Sequence, residues 1–568
     1  MASHPGIGRV WFTCAVPVLS ALVAIGLCTR LLASQDLRGS VRDSASHQPI
    51  SGAVVMLLDS SGVVLGRRIT DERGQYRIAI ASAARWARVV RIGFQPREIR
   101  VPTTTDGAAA FDVAMMSVPT MLASVHIKDE SHCPRRSDRA AALGLWEQAR
   151  AGLLATIVGR ESSPAIIHRL AFERTLDGNS DTITRFLVSE DSAVDASKSF
   201  NAVHSAKDFV TSGFSTDSAG TQTLFGPDAD VLLDDAFAGG YCFRLAEPSP
   251  ARPRQVGLAF APAEHPRDRV DIDGTLWVDT AARALRDIEY RYVGLSFRAD
   301  DYHPGGRISF RQMADGIVLI DRWYIRGVSA VRDTLDVAGR LRVRDRIYAT
   351  ENGGELARAR WPDGQTWHAS LGALRIHAVT GTTQPAAGTV IALPGTPYRA
   401  TADTSGEILI ADLVPGPYSV QVVDPRLAPL GIGLSTPVHF VAARDSTFQS
   451  TLQVPGAEEY VVNRCVGARQ WEVGDSVFVL GRVVTLRGRP IAGAKVTLSV
   501  RMNTGLWSLL ENSWTTGTDG IFQSCSRSFD PGGTVKIHVQ RAGLDAVDAI
   551  VALSPKLTIV RIPVPAEP

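Results

Sequence analysis

A chain of 568 residues, 45% apolar and 21% charged, reads as ordinary folded protein that is too long for one hydrophobic core, so three or four domains are expected. A formal net charge of +2 argues against nucleic acid as a partner, because a phosphate-binding face shows as a basic excess. No long single-sign charge run marks an acidic or polybasic tail.

Residues 1–34 differ from the rest. Arg9 precedes an apolar run over residues 10–27, and the small residues Ala33 and Ser34 follow. That order is a secretory signal: positive start, apolar middle, cleavage site. The alternative is an uncleaved anchor, since such a run nearly spans a bilayer. Cys28 follows Leu27, where a lipoprotein signal wants a small residue. The remainder has no second long apolar run, so membrane contact is expected only through an uncleaved N-terminal segment. Cleavage leaves Cys133, Cys242, Cys465 and Cys525. An even number in an exported chain suggests disulfides, and three pairings are open. Cys133–Cys242 and Cys465–Cys525 are favoured because each stays within one expected domain.

Residues 37–116 contain short apolar runs bounded by turn residues: Leu37-Arg-Gly-Ser-Val, Pro49-Ile-Ser-Gly-Ala-Val-Val, Thr70-Asp-Glu-Arg-Gly-Gln-Tyr and Val89-Val-Arg-Ile-Gly-Phe. This spacing predicts a small β-sandwich. The pattern returns at residues 476–566 as Val479-Leu-Gly-Arg-Val-Val, Pro490-Ile-Ala-Gly-Ala-Lys-Val and Thr518-Asp-Gly-Ile-Phe. A more worn copy spans residues 372–455, with Leu374-Arg-Ile-His-Ala-Val, Ala387-Gly-Thr-Val-Ile and Ala402-Asp-Thr-Ser-Gly. Irregular spacing makes these beads on a chain, not a solenoid.

These runs resemble the carboxypeptidase regulatory-like domain, a transthyretin-like sandwich grouped with carbohydrate-binding-like folds. The resemblance implies exported, non-catalytic modules with a leaning towards carbohydrate. The segment from Met121 also looks like the approach to a receptor plug, but too few residues remain for a barrel.

After a linker at residues 117–132, a central domain is expected over residues 133–355. Trp146, Ala149, Leu153 and Ile157 form a stripe at helical spacing, best read as core-facing. Strands follow at residues 165–174 and 182–189, and residues 201–224 resist assignment. Residues 270–328 alternate with a period of two, broken at Gly/Asp turns, which predicts four strands of one antiparallel sheet. Pro227-Asp-Ala-Asp-Val-Leu-Leu, Tyr241-Cys-Phe and Gly274-Thr-Leu-Trp-Val-Asp resemble an uncharacterised domain that follows such sandwiches in exported bacterial proteins. The sheet-plus-helix pattern is also similar to periplasmic half-barrels that handle lipoproteins.

Chemistry is sparse. His-Glu-x-x-His, Gly-x-Ser-x-Gly and Gly-Lys-Ser/Thr are absent, and His168, His204, His303 and His368 share no ligand spacing. No catalytic residue, metal ligand or cofactor is expected. Asp271-x-Asp273-Gly274 lacks the rest of a calcium loop. Asp228, Asp230, Asp234 and Asp235 fit helix N-termini. Trp277, Trp323, Trp507 and Trp514 are the candidate ligand-contact aromatics, with core packing as the rival reading.

The expected fold is mainly β with a smaller α+β part: three transthyretin-like sandwiches flanking a central antiparallel-sheet domain with an N-terminal helix. The expected function is a non-enzymatic envelope protein that binds another envelope protein or a glycan. The alternatives are lipid or lipoprotein handling by the central sheet, and an unrecognised hydrolase.

Overall fold

A computed structural model describes residues 36–102, 109–118, 136–177, 182–193, 204–218, 221–264, 269–295, 302–337, 340–381, 383–464, 478–501, 505–524, 532–543, 545–555 and 557–565. The expected signal, most of the linker, Cys133, Cys465 and Cys525 lie outside the described residues. The chain is mainly β and divides into two compact units.

The first unit comprises Met1–Ala123 with Arg150–Ser162 and Gln312–Ile317. Its strands are β1 (Asp36–Asp43), β2 (Val54–Leu58), β3 (Val64–Ile69), β4 (Gln75–Ala79), β5 (Trp86–Val90), β6 (Arg97–Arg100), β7 (Ala109–Ala110) and β8 (Val113–Met115). Two sheets result, β4-β1-β7 with β8 also on β1, and β3-β2-β5-β6. All five residues of β2 are buried, whereas β4 alternates exposed and buried along its length. A continuous apolar run marks a strand buried on both faces, and alternation marks one wet on one side. Leu37, Val41, Val55, Leu57, Ile78 and Met115 fill the core. Each such side chain contributes about 1.5–3 kcal/mol by leaving water. In the same unit Arg67 Nε donates to Glu161 Oε2 at 2.7 Å. That bond, ahead of the opposing effect of burial, holds the Glu161 carboxyl below its ordinary range.

The second unit opens with the N-terminal part of α1 (Arg136–Ser162) and then β9 (Ile166–Asp177), β10 (Ile183–Ala193), α2 (Ala206–Ser212), β11 (Ser215–Ser218), β12 (Thr221–Leu224), α3 (Ala229–Leu233), α4 (Asp235–Gly240), β13 (Tyr241–Leu245), β14 (Gln255–Pro262), β15 (Asp271–Asp279), β16 (Ala284–Val293), β17 (Gly305–Gln312), β18 (Val318–Val337), β19 (Arg340–Arg360) and β20 (Thr366–His368). The strand order is β10-β9-β19-β18-β17-β16-β15-β14-β13, with β20 on β19. The four strands expected over residues 270–328 are the neighbours β15 to β18. The fourth runs on to Val337 and pairs over sixteen positions with β19. The stripe Trp146, Ala149, Leu153 and Ile157 is buried throughout. The stretch that resisted assignment holds α2, closed by a capping box between Ser205 and Asp208. Asp228 and Asp234 cap α3 and α4, which accounts for part of the acidic cluster.

The same unit holds two further pairs of sheets. The first uses β21 (Gly372–Thr380), β22 (Gln384–Pro385), β23 (Val390–Ala392), β24 (Arg399–Thr401), β25 (Glu407–Leu413), β26 (Gly416–Val422), β27 (Leu434–Ala442) and β28 (Thr447–Gln453). After α5 (Ala457–Arg464), the second uses β29 (Phe478–Thr485), β30 (Lys495–Arg501), β31 (Trp507–Thr515), β32 (Ile521–Ser524), β33 (Thr534–Gln540), β34 (Val547–Ala552) and β35 (Leu557–Val564). Their orders are β22-β21-β25 with β28, and β24-β23-β26-β27; then β32-β29-β35, and β31-β30-β33-β34. Both repeat the arrangement around β1 and β2.

The repetition extends to single atoms. Gly74, Gly406 and Gly520 all have positive φ, near 70–81°. Their carbonyls accept from Val41, Ala378 and Val483 at 2.8, 2.8 and 2.9 Å. A Cβ at each would lie 2.6, 2.6 and 2.5 Å from the carbonyl oxygen of that same partner, so only glycine fits. Four residues earlier, Thr70 and Thr516 each donate a hydroxyl to Ile50 or Ile491 and accept from Ala53 or Ala494. The threonine of the last copy is therefore Thr516, not the Thr518 taken from the sequence. Its Thr-Gly-Thr-Asp turn holds two threonines, and the glycine register selects the first. In the middle copy this place is Ala402, and Thr389 N closes the turn directly on Ala386 O at 3.3 Å.

Candidate functional site

Within the second unit, β9, β10 and β19 of the large sheet and β24 and β25 of the middle sandwich enclose a cleft of about 380 Å³. Phe186 and Val188 of β10 set the spacing. Phe186 meets Tyr418 edge-on with ring centroids 5.3 Å apart, and Val188 N donates to Gly395 O at 3.0 Å. Gly416 leaves room for the Phe186 ring, since a Cβ there would come within 2.5 Å of it.

Both strands that carry the cleft walls are irregular at the cleft. The β9–β19 register slips between Leu356 and Arg358, leaving Ala357 unmatched. The β21–β25 register slips between Gly372 and Leu374, so that Ala411 and Asp412 face Ala373. Bulges of this kind redirect side chains and gather at binding sites. Asp412 also has φ of 56°, a conformation that costs most residues about 1–2 kcal/mol. Tyr398 holds it there: its hydroxyl donates to Asp412 O at 2.8 Å and accepts from Val414 N at 3.2 Å. Burial pushes the Tyr398 phenol well above its ordinary range, so it remains a donor at neutral pH.

The lining is polar. Arg169, Arg358, Arg399, Glu190 and Asp412 line it together with His168, Pro397, Tyr398 and Leu409. Among the described residues, the side chains of Arg358, Arg399, Glu190 and Asp412 form no hydrogen bond or ion pair. These groups can bind hydroxyls and one opposite charge. The set contains no nucleophile paired with a base.

Beside the cleft lies a buried ionic network. Glu355, with no exposed surface, is bonded to Arg444, and its other oxygen lies 3.1 Å from Arg322 Nε. Arg444 also donates to Asp321 at 3.0 Å, and Asp321 receives Arg311 through two bonds of 3.0 and 3.1 Å. Arg174 stacks over Phe172 at 4.2 Å and donates to Pro415 O. These bonds join the large sheet to the middle sandwich.

The four candidate aromatics do not converge. Trp277 is buried under Arg252, 4.8 Å from its ring, and donates to Glu289 at 3.0 Å. Trp323 is half-buried against Gly354. Trp514 is half-buried against the core of the last sandwich, and Trp507 is 37% exposed on β31. Tyr290 and Tyr292 are buried, and burial raises both phenols. Asp271 accepts from Tyr241, and Asp273 pairs with Arg291 at 2.6 Å. Cys242 is buried on β13. No sequence motif pointed to the cleft. Its two bulges and the left-handed Asp412 have no signature in residue type.

Residues 36–116 match the family model described as the carboxypeptidase regulatory-like domain, within one residue of the first expected sandwich. No curated protein matches the chain. Among solved structures, transthyretin from Sparus aurata is 10% identical and covers 16% of this chain and 90% of its own, with a TM-score of 0.13. The shaft pilin SpaA from Lactobacillus rhamnosus GG is 10% identical over 35% of this chain and 98% of its own, TM-score 0.13. The Bacillus anthracis TIE protein is 10% identical over 61% of this chain and 63% of its own, TM-score 0.13. Among the described residues no helix is long and apolar enough to cross a membrane.

Proposed function

We propose that the protein is a non-catalytic, exported binding or scaffolding protein whose ligand seat is the cleft between the large sheet and the middle sandwich, and whose ligand is carbohydrate. The observation that carries this reading is the cleft lining: unpaired arginine and carboxylate side chains around a recess of ligand size. Hydroxyl-rich ligands suit such a surface, because each planar charged group can serve two neighbouring hydroxyls. A lipid would leave the same charges buried and unpaired, at a cost.

In this reading the N-terminal segment directs export to the periplasm or cell surface. Cys133–Cys242 and Cys465–Cys525 are then the disulfides. A glycan array and an affinity capture from envelope extract, both with the purified chain, test the function. Reproducible saccharide binding that is lost when the cleft is mutated is the expected result. Silence in both assays removes the binding role. A non-reducing peptide map that links Cys133 to Cys465 removes the disulfide pairing.

A further inference from the structure

The saccharide reading can be narrowed by the charges at the cleft. Arg358 stands on β19 beside the Ala357 bulge, and Arg399 opens β24 on the opposite wall. Neither guanidinium has a hydrogen-bond or ion-pair partner among the described residues, although two carboxylates line the same recess. Some arginines of this unit are paired, among them Arg311 with Asp321, Arg252 with Asp287 and Arg444 with Glu355. The two cleft guanidiniums are not, and they share a recess that also holds two unpaired carboxylates.

The backbone of Asp412 is fixed by its left-handed conformation and by the Tyr398 hydroxyl on its carbonyl, which sets where its side chain enters the recess. Glu190 sits on β10, whose register against β9 is set by ten paired positions. A guanidinium presents a planar fork that matches a carboxylate through two parallel bonds. Inside a recess such a bond is screened less than on open surface.

We propose that this cleft selects an acidic saccharide, one bearing a carboxylate that Arg358 and Arg399 engage while Glu190 and Asp412 accept from its hydroxyls. This assignment rests on the saccharide reading above. The two acids limit the anionic charge the cleft tolerates, so one carboxylate per bound sugar is favoured over a densely sulfated chain.

The test uses the full chain and two probes: a short oligo-uronic acid, and the same oligosaccharide with its carboxyls reduced to alcohols. Titration calorimetry at low and moderate salt reads the affinity. The acid form should bind at least tenfold more tightly than the reduced form, and added salt should weaken only the acid form. Arg358→Ala and Arg399→Ala should each remove most of that preference, and the Arg→Lys versions should restore part of it. Circular dichroism and melting temperature check that the variants fold; both arginines are exposed, so unchanged melting is expected. Equal affinity for the two probes, or arginine variants that keep the preference, would overturn the acidic assignment while leaving saccharide binding intact. If neither probe binds and no neutral glycan does, the saccharide reading falls and this assignment with it.

Discussion

Arg444, just beyond the end of β27, reaches across to Glu355 of β19, a carboxylate with no exposed surface. Among the described residues, Glu355 without Arg444 keeps only the Arg322 contact, and Arg444 without Glu355 keeps only Asp321. A buried charge stripped of its partner costs about 3–5 kcal/mol, whereas removing both often costs little. Glu355→Gln and Arg444→Met should therefore each destabilise the second unit by about 3 kcal/mol or more. The double variant should cost clearly less than the sum. Denaturant unfolding of the four proteins measures this coupling. Additive losses would show that the pair contributes no mutual stabilisation.

Asp287 anchors a second ionic centre on the large sheet. It receives Arg252 at 2.9 Å, Arg307 at 3.0 Å and Ser309 at 2.7 Å. Burial alone would raise its pKa, but Arg252, Ser309 and Arg307 outweigh that and hold it below the ordinary carboxylate range. A depressed folded-state pKa gives stability that is present above the unfolded value, near 3.9, and is lost as pH falls through the folded value. Asp287→Asn should thus lower stability at pH 7 and narrow the loss on acidification below about pH 4. Urea midpoints from pH 7 to pH 3 decide it. Equal pH slopes in both proteins would show that Asp287 does not carry the dependence.

The threonine bracket separates the first and last sandwiches from the middle one. Thr70→Val keeps the shape but strands the Ala53 amide and the Ile50 carbonyl, and Thr516→Val does the same to Ala494 and Ile491. Orphaning a buried polar group costs about 1–3 kcal/mol. Each variant should lose about 2 kcal/mol. Hydrogen exchange at the Ala53 or Ala494 amide should rise by tenfold or more, while the Thr389 amide, which uses Ala386 O instead, stays unchanged.

The fold was legible where local pattern and tertiary fate agree. Period-two runs at Asp271–Asp279 and Ala284–Val293 became adjacent strands, and the turns Pro49-Ile-Ser-Gly and Pro490-Ile-Ala-Gly marked the first and last sandwiches. The far half of β18 and the near half of β19 were missed, because arginine and aspartate recur along both segments and mask an apolar alternation. Sequence could not choose between the two readings of the candidate aromatics for a related reason. A tryptophan looks the same in sequence whether it meets a ligand or, like Trp277, lies beneath an arginine. The cleft was not legible at all. Its walls are contributed by residues as far apart as His168 and Asp412, and register slips aim them.

One of those slips is open to direct trial. Asp412 holds a positive φ that glycine adopts freely, and its side chain makes no bond of its own. Asp412→Gly should relieve that conformation and gain up to about 1 kcal/mol, offset by the greater freedom of glycine in the unfolded chain. Asp412→Ala keeps the conformational cost and also loses the carboxylate, so it should gain nothing. If the strained conformation serves the cleft, both variants should bind the saccharide more weakly although only the glycine variant melts higher. A calorimetric scan alongside a binding titration separates the two effects. A glycine variant that is both less stable and unimpaired in binding would show that the bend at Asp412 is neither strained nor used.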